Sequence, residues 1–198
     1  MPRPARTERG LPAPADAHRS TATMRVWDPL VRIFHWSLVT SFAVAWLSRH
    51  GSELLHDGAG YLAAGLVLVR VLWGTLGTPY ARFSQFVRGP QTVLRYLRAI
   101  LGGREARHIG HNPAGGAMAL VLMAGMAATA LTGWMMTTDA WFGVAWVQTV
   151  HGLIAQGMLL LVALHVGGVA LACLRHRENL VAAMITGRKR KAAAGDVA

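Results

Sequence analysis

Four apolar runs, at about residues 33–48, 59–77, 114–136 and 149–173, set the pattern of the chain, and its polar positions collect between them. The last three runs are long enough to cross a hydrocarbon core of about 30 Å as helices. The first is shorter but extends back through Leu30 and Val31. A helix on the surface of a soluble bundle shows a polar stripe, and these runs mostly lack one. A backbone in lipid must satisfy its own hydrogen bonds, so runs of this length predict helices. The pattern therefore predicts spans over about residues 30–48, 57–77, 113–136 and 149–174. The expected fold is an all-α membrane protein, a four-helix transmembrane bundle.

The punctuation agrees with the runs. Asp28-Pro29 and Asn112-Pro113 read as an N-cap followed by proline at the first helical position, and Thr78-Pro79 reads as a stop. VLRYLRAIL (93–101) has the pattern of a short amphipathic helix lying on the membrane surface. Gly125, Thr129 and Gly133 form a small-residue ridge suited to close helix packing. Trp134, Trp141 and Trp146 suit a membrane–water interface. Residues 1–24, rich in Pro, Ala and Arg, read as a disordered tail, and residues 25–178 as the membrane domain. Residues 179–198, opening with an ENLVAAMITGRKRK stretch, read as an interfacial helix ending in a basic anchor. No apolar signal-peptide core precedes the first run, so that run is expected to stay in the membrane.

Composition sharpens the picture. The chain is 53% hydrophobic and only 15% charged, yet its net charge is +11. Placement of the charges argues against nucleic acid. Arg3, Arg6, Arg9, Arg19, Arg25 and Arg32 precede the first run; Arg82, Arg88, Arg95, Arg98, Arg104 and Arg107 separate the second from the third; Arg175, Arg177, Arg188, Lys189, Arg190 and Lys191 follow the fourth. The other two connections carry only Arg49 beside Glu53 and Asp57, and Asp139. This alternation is the positive-inside pattern and predicts cytoplasmic termini with two short periplasmic loops, in a bacterial cytoplasmic (inner) membrane. The lone Cys173 excludes an internal disulfide, and no C-x-x-C-H is present for covalent haem.

The candidate chemistry lies in the histidines. His151 and His165 bracket an apolar stretch and stand fourteen residues apart. On a helix that spacing is about 21 Å along the axis and about 40° short of four full turns, so both rings point to nearly the same side. The topology puts His151 and His56 at an outer level, and His165 and His35 at an inner one. The same spacing recurs from His35 to Arg49 and from His56 to Arg70. Arg70 is the only charge inside the four runs and needs an anionic partner in the protein interior.

Paired neutral imidazoles beside a cation suit two haem b groups with two axial histidines each, and Arg70 and Arg32 are candidates for the propionates. Zinc would want four clustered ligands, and a proton relay would want intramembrane carboxylates that are absent here. His50 competes with His56 for the outer level, but lies about 60° off the direction of His35. His18, His108 and His176 read as solvated. His111 and Asn112, in GHNPAG, lie where a quinone headgroup would meet the inner level.

VWDPLVRIFHW, LHDGAGYLAAGLVLVRVLWG, ARFSQFVRGP, GHNPAGG and ENLVAAMITGRKR together resemble the bacterial cytochrome b-561 family, and most closely its branch of nickel–iron hydrogenase cytochrome b subunits. The resemblance spans about residues 25–191. It implies a four-helix diheme protein exchanging electrons with the quinone pool, with ligands at His35, His56, His151 and His165. The fifth helix and longer loops common in hydrogenase subunits are missing from this chain.

The function expected is electron transfer between a periplasmic-side partner, a cytochrome c or hydrogenase-like protein, and quinone. Lipid and a possible homodimer partner complete the expected contacts. A haem-free anchor or transporter subunit, and a stand-alone oxidase of superoxide or another small oxidant, are the alternative readings.

Overall fold

The computed structural model describes residues 22–197. Asp28 shows how local chemistry sets the architecture. Its carboxylate accepts from the Val31 amide (2.8 Å) and so caps helix α1, Pro29–Ser48. The same carboxylate takes the Trp73 indole N–H (3.1 Å) and the Thr78 hydroxyl (2.5 Å) at the far end of helix α2, Glu53–Leu76. One cap thus ties the start of one span to the end of the next. Burial disfavours ionising Asp28, but the hydrogen bonds from Thr78, Val31 and Trp73 outweigh it and hold the carboxyl below its ordinary pKa.

Past α2, a 3₁₀ turn at Pro79–Ala81, a single helical turn α3 (Phe83–Phe86) and helix α4 (Pro90–Leu101) run along one end of the bundle. Helix α5, Pro113–Met136, is capped by Asn112, whose Oδ1 accepts from Gly115 N at 2.7 Å. Helix α6 runs Ala145–His176 and ends at Arg177 in the left-handed conformation. Among these, α1 packs on α2, α2 on α5, and α5 on α6, while α1 and α6 make few close backbone approaches.

Four helices long and apolar enough to span a membrane are therefore present, as the apolar runs predict. The bundle is apolar on the outside. Leu160, Leu164 and Val166 of α6 are each more than half exposed. In water each would forfeit about 1.5–3 kcal/mol of burial, a cost that vanishes against lipid. The bundle's own core is small: Ala63, Val67, Met126 and Met158, flanked by Leu38, Phe42 and Leu122.

Two expectations about the tails change. Residues 1–21 of the amino-terminal tail lie outside the described residues, but Thr23–Arg25 forms strand β1 and so does not belong to a disordered segment. The basic stretch after α7 (Leu180–Thr186) is not a free anchor. Arg188–Arg190 forms strand β2, antiparallel to β1, and Lys189 turns inward. Lys189 Nζ donates to the carbonyls of His108 (3.0 Å) and Ile109 (2.9 Å). A buried ammonium is costly unless so engaged, and burial pulls its pKa down despite Glu178 at 3.6 Å.

The segment 104–112 is fastened by the same tail. Arg107 pairs with Glu178 (2.6 Å) and Asp196 (2.5 Å), and Val197 bonds the backbone of Arg107 and Ile109. The result is a plate of β1, β2, α7 and the 104–112 loop across one end of the bundle. Ile109 and Ala183 of the plate join Val26, Trp27, Val31 of α1 and Ala81 of the 3₁₀ turn in one buried apolar cluster.

Candidate functional site

His56, on the first turn of α2, and His151, on the second turn of α6, face each other with ring centroids 6.1 Å apart. Each ring has one nitrogen committed to main chain. His56 Nδ1 donates to the carbonyl of Ala45 on α1 (2.8 Å), and His151 Nδ1 to the carbonyl of Thr129 on α5 (3.1 Å). Thr132 Oγ1 lies 3.1 Å from the same His151 nitrogen. A proton held on Nδ1 leaves the Nε2 lone pair of both rings free to bind a metal. The gap suits one metal atom joined to two nitrogens by bonds of about 2 Å.

Gly133 makes the approach possible: a Cβ there would sit 3.3 Å from His151 Cε1. Thr129 and Gly133 belong to the small-residue ridge of α5, which turns out to serve an imidazole as well as helix packing. Gly133→Val is expected to displace His151 and to broaden or remove the optical and EPR signature of whatever this pair ligates. Gly133→Ala, a tighter but smaller intrusion, is expected to retain it with a shifted midpoint potential in redox titration.

The other two candidates lie on α1 and α6: His35 and His165 are both half-buried. His35 stands edge-on to Trp36 at 5.1 Å, and its Nδ1 is buried without a partner. An orphaned buried nitrogen is costly, and His35 Nδ1 finds no partner among the described residues. His50, by contrast, is exposed in the turn between α1 and α2, while His56 is the ring that meets His151.

Arg70 is 4% exposed. Its Nη2 donates to the Ala81 carbonyl (2.9 Å), its guanidinium lies 5.0 Å from the Phe83 ring, and its Nη1 has no partner. No carboxylate pairs with it among the described residues. Arg32 is placed differently from Arg70. Its Nη1 donates to the Thr186 carbonyl (3.1 Å), which fastens α7 to α1, while its Nε remains buried and unpaired.

His111 is packed between Trp27 (4.7 Å) and Phe86 (4.5 Å), with Nδ1 buried and unpaired. Burial, then the nearby Arg70 and Lys189 cations, push its pKa down to about 3, so the ring is neutral at physiological pH. It lines a cavity of about 260 Å³ with Tyr80, Gln85, Phe86, Thr92 and His108. Asn112 spends its side-chain carbonyl on capping α5. His108, read from sequence as solvated, is half-buried and edge-on to Tyr96 at 5.3 Å.

The donor sets bear on what could bind. Among the described residues no three His, Cys, Asp or Glu side chains gather around one point. Two imidazoles per level are too few for a zinc site of four protein ligands. They are the right number for an iron whose other four ligands come from a porphyrin. The residues present therefore fit b-type haem, and the unpaired Arg70 Nη1 fits a carboxylate at its edge.

Comparison with known proteins agrees with this chemistry. No curated protein and no solved structure matches the chain. The family described as prokaryotic cytochrome b561 matches residues 26–187, which takes in all four spans, the four candidate histidines and α7. The chain belongs to the prokaryotic cytochrome b561 family, membrane proteins that transfer electrons through b-type haem.

Proposed function

We propose that the protein passes single electrons across the cytoplasmic membrane between a periplasmic-side redox partner and the quinone pool. His56 and His151 hold one haem b, and His35 and His165 hold a second. The observation that carries this reading is the facing of His56 and His151 with both Nδ1 atoms tied to main-chain carbonyls. Bound haem supplies the one-electron couple. The chain's own residues orient the axial nitrogens, exclude water with apolar spans and offer Arg70 to a propionate. Arg32 Nε is a second donor from the same end of the bundle. The basic end, bearing α4, α7 and the plate, is the cytoplasmic one, and the short turns after α1 and α5 are periplasmic. The partner on that side is a small redox protein, cytochrome c or hydrogenase-like.

The test is a reduced-minus-oxidised spectrum of the purified protein with a pyridine haemochrome assay. The expected result is a b-type spectrum and about two haems per chain. A colourless protein made under ample haem supply would instead indicate a haem-free anchor.

The quinone headgroup sits beside His111, whose unpaired Nδ1 and neighbouring cavity support that position. His111→Ala and Asn112→Ser (serine keeps the helix cap) are expected to lower quinone turnover by about ten-fold, or about 1.4 kcal/mol of transition-state stabilisation, with both haems retained. Turnover equal to wild type in both variants would move the headgroup elsewhere.

A further inference from the structure

Helix α4 divides into three faces. Counted at about 100° per residue, Val93, Tyr96 and Ile100 share one arc, Leu94, Leu97 and Leu101 a second, and Gln91, Arg95 and Arg98 a third, each about 60° wide. The first arc is the one turned toward the protein: Tyr96 is buried, Val93 and Ile100 are half-buried, and α4 packs on α5. Among the described residues nothing covers the leucine arc, with Leu94, Leu97 and Leu101 exposed at 53%, 42% and 87%. The third arc is exposed and cationic.

A helix in water needs only two faces. A third, apolar and unpartnered, beside a row of guanidiniums fits a helix lying in the plane where hydrocarbon meets headgroups. Its place in the fold agrees, because α4 joins the end of span α2 to the start of span α5 and so must lie at a membrane face.

The charges nearby sort into two sets. Arg107, Arg175 and Lys189 are spent on Glu178, Asp196 and Glu105. Arg88, Arg95, Arg98 and Arg104, on or flanking α4, are exposed and pair with no carboxylate among the described residues. The basic strand β2 lacks an accompanying apolar arc, since its central residue turns inward.

We infer that α4 is a docking element for anionic phospholipid. Leu94, Leu97 and Leu101 enter the acyl region, and Arg95 and Arg98, with Arg88 and Arg104 at the ends, hold phosphate headgroups. The leaflet then fixes α4, and through Tyr96, whose hydroxyl donates to the Ala106 carbonyl (3.3 Å), it steadies the 104–112 loop.

Full-length protein in nanodiscs of phosphatidylcholine mixed with phosphatidylglycerol tests this in two ways. Lipid retained on extraction is expected to be enriched in phosphatidylglycerol. Arg95→Gln with Arg98→Gln is expected to reduce the enrichment by about five-fold per arginine at low ionic strength. In a Cys173→Ser background, a nitroxide at Leu97→Cys is expected to be relaxed by oxygen more than by a water-soluble nickel chelate, and one at Arg95→Cys the reverse. Unchanged enrichment in the double variant, or a nickel-accessible label at position 97, would overturn the proposal. A label at 97 shielded from both reagents would overturn it in favour of a protein partner covering the leucines.

Discussion

Replacing His56 or His151 by alanine is expected to remove one haem and leave the other. Pyridine haemochrome should fall from about two haems per chain to about one in each single variant. The spectrum that remains should be the same for both, because in the proposed assignment the two side chains serve one iron. His35→Ala and His165→Ala should give the complementary spectrum. Ligands of one centre act as a unit, so the double variant at one level should resemble either single. Combining His56→Ala with His35→Ala should give a colourless protein.

His50→Ala is the informative control. Exposed in the turn beyond α1, it should leave both haems in place. Loss of a haem in His50→Ala, with two haems kept in His56→Ala, would reassign the ligand. His→Ala also deletes the hydrogen bonds to Ala45 or Thr129, so His56→Gln serves as a bulkier comparison that should still lose the haem.

The second large effect is expected at Arg107. Truncation to alanine would leave the half-buried Glu178 and Asp196 and the buried Lys189 around a missing cation. Removing one partner of a buried ionic network costs about 3–5 kcal/mol, most of it from the charges left behind. The loss should be local. Amide hydrogen exchange at Ile109 and Val197, which bond across the plate, should accelerate by about two to three orders of magnitude, with both haem spectra intact. Arg107→Lys keeps the charge but not the fork that reaches Glu178 and Asp196 together, and should fall between.

Acid should act in the same way on wild-type protein. Hydrogen bonding to Arg107 overcomes the burial of Glu178 and holds its carboxyl below the ordinary value. Asp196 is held low as well, chiefly by the Ala193 amide and then by Arg107. A depressed folded-state pKa stabilises fully above the unfolded value and is lost below it. The plate should therefore hold at neutral pH and open as pH falls below about 4. Exchange at Ile109 that is flat across that range would contradict this account.

The parts of the molecule visible in the sequence are those that lipid dictates. Long apolar runs have one solution in a bilayer, and Asp28 and Asn112 announce their helices because a capping oxygen followed by proline at the first helical position is a recognisable start. The His56–His151 pair was legible too, because depth and helical phase are counted along the chain. Their anchors were not. Ala45 and Thr129 contribute carbonyls, which every residue possesses, so no side chain marks them. The plate was hidden for another reason. Arg107 meets Glu178 and Asp196 across 71 and 89 residues, and a run such as RKR reads equally well as a loose tail or a strand. Nor does the sequence show that Arg32 spends its Nη1 on the Thr186 carbonyl and keeps only Nε unpaired, since that acceptor too is main chain.

The anchoring of the facing rings has an evolutionary side. Where a carboxylate orients an imidazole, one substitution can retune its electron donation. Ala45 and Thr129 offer peptide oxygens that survive any side-chain exchange short of distorting the helix. The His56 ring is therefore buffered against mutational drift, whereas His151 also meets the Thr132 hydroxyl, so adaptation of the pair is open at Thr132 and, through shape, at Gly133.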